Sequence, residues 1–251
     1  MDDVAVAARA ARAAADVLLA LRADGALTGR ALGDAGDAAA QQAISAVLAA
    51  ERPGDAVLSE EAADDPGRLS ADRVWIVDPL DGTREYGEAG RSDWAVHVAL
   101  WADGERGAGG DLRTAAVALP ALGQVLVTEP APVLPARRDG PVRIAVSRTR
   151  PPAESEAVAA ALGAELVPMG SAGYKVLAVV RGEVDAYVHA GGMYQWDSAA
   201  PVAVARAAGL TTSRIDGRAL VYNAAELSLP DLVVCRPELA EPILAAVRAG
   251  R

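Results

Sequence analysis

Apolar positions recur along this chain first at helical spacing and then in alternation. Over residues 2–22, Val4, Ala8, Ala11, Ala15, Leu18 and Leu19 repeat with the period of a helix, with acids leading and arginines between them, which predicts a long amphipathic helix. Residues 25–33 read as loop. A second helix is predicted over 37–50, with Ile44, Val47 and Leu48 turned inward, and Pro53-Gly54-Asp55 ends it. From there the period becomes two. Residues 56–59 form a short strand that runs into Glu60 and Glu61, and adjacent strand residues face opposite ways, so at most one of these acids enters a given site. Val74-Trp75-Ile76-Val77 is a buried strand stopping at Asp78-Pro79. Residues 94–101 set Trp94, Val96, Val98 and Leu100 on one face against Ala95, His97, Ala99 and Trp101 on the other, the pattern of a strand buried on both sides. A polar, Gly-rich turn over 102–110 and strands at 115–119 and 125–128 complete an antiparallel set.

Residues 130–141 hold four prolines and Gly140, which makes them the expected linker between two domains, an α+β domain over 1–135 and an α/β domain over 136–251. In the second half the pattern alternates: strand 142–146, helix 153–162, strand 165–168, helix 172–181, strand 184–188 and helix 197–208. Strands near 210–215 and 232–235 and a terminal helix from residue 238 follow. No repeat or low-complexity tail interrupts it.

Composition narrows the classes. A chain of 251 residues with 52% hydrophobic content is folded rather than disordered. No apolar run approaches the roughly 18 residues that span a bilayer, and the N-terminus lacks the basic-then-apolar form of a signal peptide, so the expected location is cytoplasmic, with no membrane partner. The single Cys235, in an apolar run, excludes an internal disulfide and reads as an inert buried thiol. A net charge of −10 argues against binding a nucleic acid polymer. Among 24 basic residues only Lys175 is a lysine.

Four acids end apolar segments or precede a helix: Glu60, Asp78, Asp81 and Asp197. Two carboxylates about 4 Å apart repel by roughly 4 kcal/mol at an effective dielectric near 20, so converging acids need cations. Oxygen ligands select a hard ion such as Mg²⁺, and the scarcity of His and Cys argues against zinc. Gly82 and Thr83 add backbone N–H groups that suit a phosphoryl group. The plainer reading of D-P-L-D-G is a turn whose acids cap a helix. An aspartyl-phosphate mechanism needs D-x-D-x-T, and the three-residue separation with an intervening Pro79 lacks that geometry; no P-loop motif is present.

Ser59-Glu60-Glu61, the run W-I-V-D-P-L-D-G-T-R-E-Y from Trp75 to Tyr86, G-S-A-G-Y-K from Gly170 to Lys175 and W-D-S-A-A from Trp196 to Ala200 resemble, in order and spacing, the inositol monophosphatase-like, lithium-sensitive, Mg²⁺-dependent phosphatases. The similarity extends over the whole chain and is strongest to the CysQ-type 3'(2'),5'-bisphosphate nucleotidases, which dephosphorylate 3'-phosphoadenosine 5'-phosphate. The resemblance implies a layered αβαβα sandwich in which Glu60, Asp78, the Leu80 carbonyl, Asp81 and Asp197 hold two Mg²⁺ ions, with a third held more loosely. It implies that Thr83, paired with Asp37, and Glu60 orient and deprotonate the attacking water, with no phosphoenzyme. Asp34 is the neighbouring alternative to Asp37, and a helix cap is the plainer role for Asp37 itself. Relatives are often homodimers.

Substrate contacts are expected from Leu80, Asp81, Gly82, Thr83, Ser171 and Asp197 around the phosphate, with Ser147, Arg148 and Lys175 reaching a second phosphate or the ribose. Solvated surface is the competing reading for the two cations. Residues 189–194 are expected to loop over the base, and Gln195 stands where Glu is common among relatives. His97 and His189 are candidate general acids, His97 being better explained as structural, and the four tryptophans as core or pocket wall. The expected reaction is Mg²⁺-dependent hydrolysis of the 3'-phosphate of 3'-phosphoadenosine 5'-phosphate. An inositol-1-phosphate or fructose-1,6-bisphosphate phosphatase of the same superfamily is the near alternative, and a non-catalytic phosphometabolite-binding regulator the distant one.

Overall fold

The computed structural model describes residues 2–104 and 110–250. The middle of the expected turn at 102–110 lies outside them. Helices α1 (Asp3–Asp24) and α2 (Gly29–Glu51) pack on one face of a five-stranded sheet ordered β1 (Ala56–Ser59), β2 (Arg73–Asp81), β3 (Ala95–Ala102), β4 (Asp111–Leu119), β5 (Gln124–Val127). β1 runs parallel to β2, and the later pairs are antiparallel hairpins. Between β2 and β3 lies the short helix α3 (Thr83–Gly87). Residues 128–142 then lead into a second five-stranded sheet, built from β6 (Arg143–Ser147), β7 (Glu165–Met169), β8 (Ala186–Tyr194), β9 (Thr211–Ser213) and β10 (Ser228–Cys235) in the spatial order β7-β6-β8-β10-β9. Helices α5 (Ala172–Val180) and α6 (Gln195–Ala207) lie between the sheets, while α4 (Ala153–Leu162) and α7 (Ala240–Ala249) cover the outer face of the second. The result is five layers, αβαβα.

The alternation along β3 sorts the core. Trp94, Val96, Val98 and Leu100 pack with α1 and α2, whereas Ala95 and Ala99 turn to the α5/α6 layer. That middle cluster takes Val74 and Ile76 from the first sheet together with Val176, Val179 and Val202 from the second half of the chain. Their burial, at roughly 1.5–3 kcal/mol for each fully buried aliphatic side chain, binds the two sheets to one shared layer. Cys235 is buried in the outer cluster, where burial pushes its thiol up to about 12, the environment of an unreactive sulfur.

Three elements differ from the sequence expectation near the functional residues. α2 begins at Gly29, eight residues before position 37, through a stretch whose glycines suggested a loop. The reason is tertiary: a Cβ at Gly33 would fall 2.6 Å from Thr83 Cγ2, and one at Gly36 would fall 2.7 Å from Tyr86 Cε1, so these glycines let α2 and α3 touch, and packing overrides the helix penalty of roughly 1 kcal/mol each. Residues 189–194 are not a loop over the base; they continue β8, paired with β10 across a register shift at Leu229/Asp231. Asp197 does not precede its helix but is the third residue of α6.

Candidate functional site

Residues three apart on a regular strand point to opposite faces, so Asp78 and Asp81 would diverge if β2 were regular. It is not regular. Asp78 lies opposite His97 and Asp81 opposite Ala95, so three steps on β2 match two on β3, and the extra residue at Pro79-Leu80 is a bulge that brings both carboxylates to the same side. Pro79 suits that position because it has no N–H to leave unpaired. Asp78 is buried; its Oδ1 accepts from the Leu80 N–H at 3.0 Å, and its Oδ2 has no hydrogen-bond partner.

Asp81 reaches across to the first turn of α5. Its Oδ2 accepts from Ser171 Oγ at 2.5 Å and the Gly173 N–H at 2.6 Å, and its Oδ1 from the Ala172 N–H at 3.2 Å. Beyond Asp81, Gly82 takes φ 90°, a left-handed conformation that turns the chain from β2 into α3. Glu60 leaves β1 with its N–H on the Val77 carbonyl at 3.3 Å, and Asp197 Oδ2 accepts from the Tyr194 N–H at 2.7 Å.

These acids act on one another. Burial, then the charges of Asp81, Glu60 and Asp197, push Asp78 well above the ordinary carboxylate range. Burial followed by Asp81 raises Asp197 to about 7. Glu60 also rises to about 7, through the surrounding protein and then Asp81 and Asp37, although part of the residue reaches water. Among the described residues no three of the acids already form a metal cage, and Asp78, Asp81 and Asp197 each have an oxygen on an N–H donor. Carboxylates that raise each other's pKa around an unpartnered buried oxygen, with oxygen donors throughout, have the chemistry of a hard divalent-cation site.

α2 supplies the next acid. Asp37 is buried on the inner face of α2, in the helix interior rather than at a cap, while Asp34 is exposed beside Arg30 at 3.7 Å. Burial, and then Glu61, raise Asp37 to about 7, and a hydrogen bond with the Thr83 side chain draws it back down. Thr83 Oγ1 lies 3.1 Å from the Leu80 carbonyl, to which it can donate its one proton in place of Asp37, so the Thr83 hydroxyl lies between the bulge and Asp37. The fold therefore brings Thr83 to Asp37, not Asp34.

Asp81, Gly82, Thr83, Ser147, Arg148, Ser171 and Lys175 all line one cavity of about 260 Å³. The two expected cations are committed within it. Lys175 is 5% exposed, and its ammonium donates to the Gly170 carbonyl and, at 2.9 Å, to the Ser171 carbonyl, 5.2 Å from the Tyr187 ring centre. Burial lowers it to about 8. Lys175 thus braces the turn that presents Ser171. Arg148 bonds Glu85 and Glu88, each at 2.6 Å.

Sequence reasoning overlooked several neighbours. Arg84 and Arg150 also line the cavity and have no ion-pair partner among the described residues; for Arg150 the signal was a second arginine in S-R-T-R at the end of β6. Asp93 is buried and accepts from the Gly170 N–H at 2.6 Å, which steadies the same turn. Nothing in the sequence marked it. His97 proves fully buried beside the acids, with burial holding its imidazole below the ordinary histidine range.

The sequence signature described as "Inositol monophosphatase family" matches residues 2–250. A 3'-phosphoadenosine 5'-phosphate phosphatase of Mycobacterium leprae is 50% identical over 259 residues, covering 99% of this chain and 94% of its relative. The 3'(2'),5'-bisphosphate nucleotidase CysQ of Escherichia coli is 31% identical over 202 residues, 76% of this chain and 80% of that protein. The crystal structure of CysQ from Bacteroides thetaiotaomicron superposes with a TM-score of 0.77 at 26% identity, over 93% of this chain and 97% of that one. With the family signature running over residues 2–250, a relative 50% identical along almost the whole chain and the same fold in a solved structure, the chain belongs to the inositol monophosphatase family.

Proposed function

We propose that this protein hydrolyses the 3'-phosphate of 3'-phosphoadenosine 5'-phosphate, giving AMP and inorganic phosphate, with divalent cations held by Glu60, Asp78, the Leu80 carbonyl, Asp81 and Asp197. The observation that carries the reading is the bulge in β2, which turns Asp78 and Asp81 together beside a cavity edged by Ser171 and arginines. Homologues at about 50% identity bear that activity in their names, and the family is generally Mg²⁺-dependent. Two ions, with a third more loosely bound, are the number that the family resemblance implies for these ligands.

Bound there, Mg²⁺ neutralises phosphoryl charge and lowers the pKa of water. The chain's own residues do the rest. Asp37, raised to about 7, and Thr83 form a relay: the Thr83 hydroxyl turns its proton from the Leu80 carbonyl to the ionised Asp37 carboxylate, and as that proton passes to Asp37 the attacking water gives its own to Thr83 Oγ1. Glu60, the residue after β1 and near enough to Asp37 for their charges to interact, is the second group assigned to that water. Lys175 and Asp93 fix the Gly170-Ser171 turn, and Ser171 and the N–H groups after it hold Asp81 in place. Tyr194, half exposed and stacked on Trp196 with ring centres 4.8 Å apart, offers the adenine a flat face next to Asp197.

Phosphate release from 3'-phosphoadenosine 5'-phosphate, inositol 1-phosphate and fructose 1,6-bisphosphate, with EDTA and Li⁺ controls, tests the reading. A preference for the nucleotide of about tenfold or more in kcat/KM, roughly 1.4 kcal/mol, is expected. Preference for a sugar or inositol phosphate overturns the substrate assignment and leaves the metal chemistry standing; turnover of none of them replaces the enzyme with a binding protein.

The arginines give a second expectation. A protein of net charge −10 holds a bisphosphate only through local cations, and Arg148 is already shared between Glu85 and Glu88. Arg150→Ala is therefore expected to raise KM for the bisphosphate nucleotide about tenfold, the worth of one charge-assisted hydrogen bond of roughly 1.5 kcal/mol, with kcat within about twofold. An unchanged KM removes Arg150 from the second-phosphate contact.

The raised carboxyls also set a pH dependence. Asp37, Asp78 and Asp197 have folded pKa values above their unfolded ones, so their contribution to stability is fully present below about pH 4, and that of Asp37 and Asp197 is lost as the pH rises through about 7. EDTA-treated protein should accordingly lose melting temperature between pH 5 and 8. Mg²⁺ competes with those protons, so its stabilising effect should be roughly twice as large at pH 8 as at pH 5.5, read by thermal melts. An increment independent of pH would contradict the assignment of these acids.

A further inference from the structure

β3 turns His97 towards the middle layer, directly opposite Asp78 in the β2 register. The ring is fully buried. Its Nδ1 lies 3.1 Å from the Trp196 carbonyl, and because a carbonyl only accepts, Nδ1 carries the proton. The same nitrogen is 3.8 Å from Asp78 Oδ2, and Nε2 is 3.4 Å from Asp81 Oδ2. The opposite wall of this slot is Gly173, whose N–H donates to that same Asp81 oxygen and where a Cβ would fall 1.9 Å from Nε2. One imidazole thus touches the bulge of β2, the first turn of α5 and the start of α6, one residue before Asp197.

We propose that His97 is a positioning residue that sets the separation between Asp78 and Asp81 on β2 and Asp197 on α6, and through it the affinity for divalent cations. The inference rests on the metal reading above. An apolar side chain of similar size would fill the slot without burying a ring nitrogen that lacks a hydrogen-bond partner, which is unfavourable in itself. What the imidazole adds is its N–H on Trp196. That bond joins the peptide preceding Asp197 to the strand paired with β2, so the acids of β2 and α6 share one spacer. Outer-shell groups that orient ligands in this way affect metal affinity about 10–100-fold when removed.

The test is Mn²⁺ binding followed by electron paramagnetic resonance, with Mg²⁺ as competitor, on the wild-type protein and on His97→Leu, His97→Asn and Gly173→Ala. His97→Leu is expected to weaken Mn²⁺ binding about tenfold or more and to raise the Mg²⁺ concentration for half-maximal activity in parallel, while KM for the nucleotide at saturating Mg²⁺ stays within about twofold. Asn retains an N–H near the position of Nδ1 and should recover most of the affinity. Gly173→Ala displaces the ring and should lose affinity as His97→Leu does, and it serves as the test if the leucine variant does not fold. Binding within twofold of wild type in His97→Leu or Gly173→Ala, or an equal loss in Asn and Leu, makes His97 a core filler and overturns the proposal. Absence of Mn²⁺ binding by the wild-type protein would instead sink the metal reading itself.

Discussion

Asp81→Asn is expected to lower kcat/KM for 3'-phosphoadenosine 5'-phosphate by at least about 10³-fold, on the order of 4 kcal/mol of transition-state stabilisation, while the protein remains folded. The loss follows from removing the charge of a proposed cation ligand at the centre of the acid cluster, since Asp81 contributes to the raised pKa of Asp78, Glu60 and Asp197 alike. The effect on the fold is the balance of two opposed terms. An amide offers one acceptor where the carboxylate takes three donors, from Ser171, Ala172 and Gly173, and a buried donor left facing an NH₂ costs about 1–3 kcal/mol. Relief of repulsion among the remaining acids offsets much of it. The melting temperature in EDTA should therefore move by no more than several degrees, at roughly 2–4 °C per kcal/mol for a chain of this size. Phosphate release and a circular-dichroism melt on the same preparation check both parts, and unchanged phosphate release would remove Asp81 from the metal site.

Thr83→Ala should lower kcat about 10²–10³-fold with KM within about twofold, because its hydroxyl takes part in proton removal from water rather than in holding the nucleotide. Asp37→Asn should produce a loss of the same size. The two groups are joined by one hydrogen bond and serve one proton, so the double variant should be little worse than either single one. Multiplicative losses would mean two independent roles, and losses below about threefold in both would discard the relay. Asp37→Asn also removes a buried carboxyl whose proton affinity is raised in the fold, so in EDTA at pH 8 this variant should melt no lower than the wild type.

Much of this was legible in the order of residues. The alternation along β3 sorted two cores correctly, and helix α4 begins and ends where its pattern predicted. The motifs D-P-L-D-G-T and W-D-S-A-A identified the family because their acids are local in sequence and chemically costly to place without partners. Pattern failed where a distant element decided the outcome. α2 extends through glycines because α3 fills the space their missing side chains leave, and residues 189–194 are strand because β10 pairs with them. A lone lysine in a glycine-serine turn suggested an anion ligand; its ammonium is occupied by the carbonyls of that same turn.

What the sequence determined by itself is the composition of the site: hard oxygen donors, an acid at each of several element ends, a hydroxyl following a glycine, and almost no His or Cys to compete for a cation. Those are properties of residue type and short spacing. Only the tertiary structure decided the direction in which each group points. The bulge turns Asp81 to the side of Asp78, α2 packing selects Asp37 over Asp34 for Thr83, and His97 reaches from a strand to the start of α6. Orientation of this kind depends on contacts between residues far apart in the chain, and a one-residue change in register, which no local pattern records, reverses the face of every side chain that follows it.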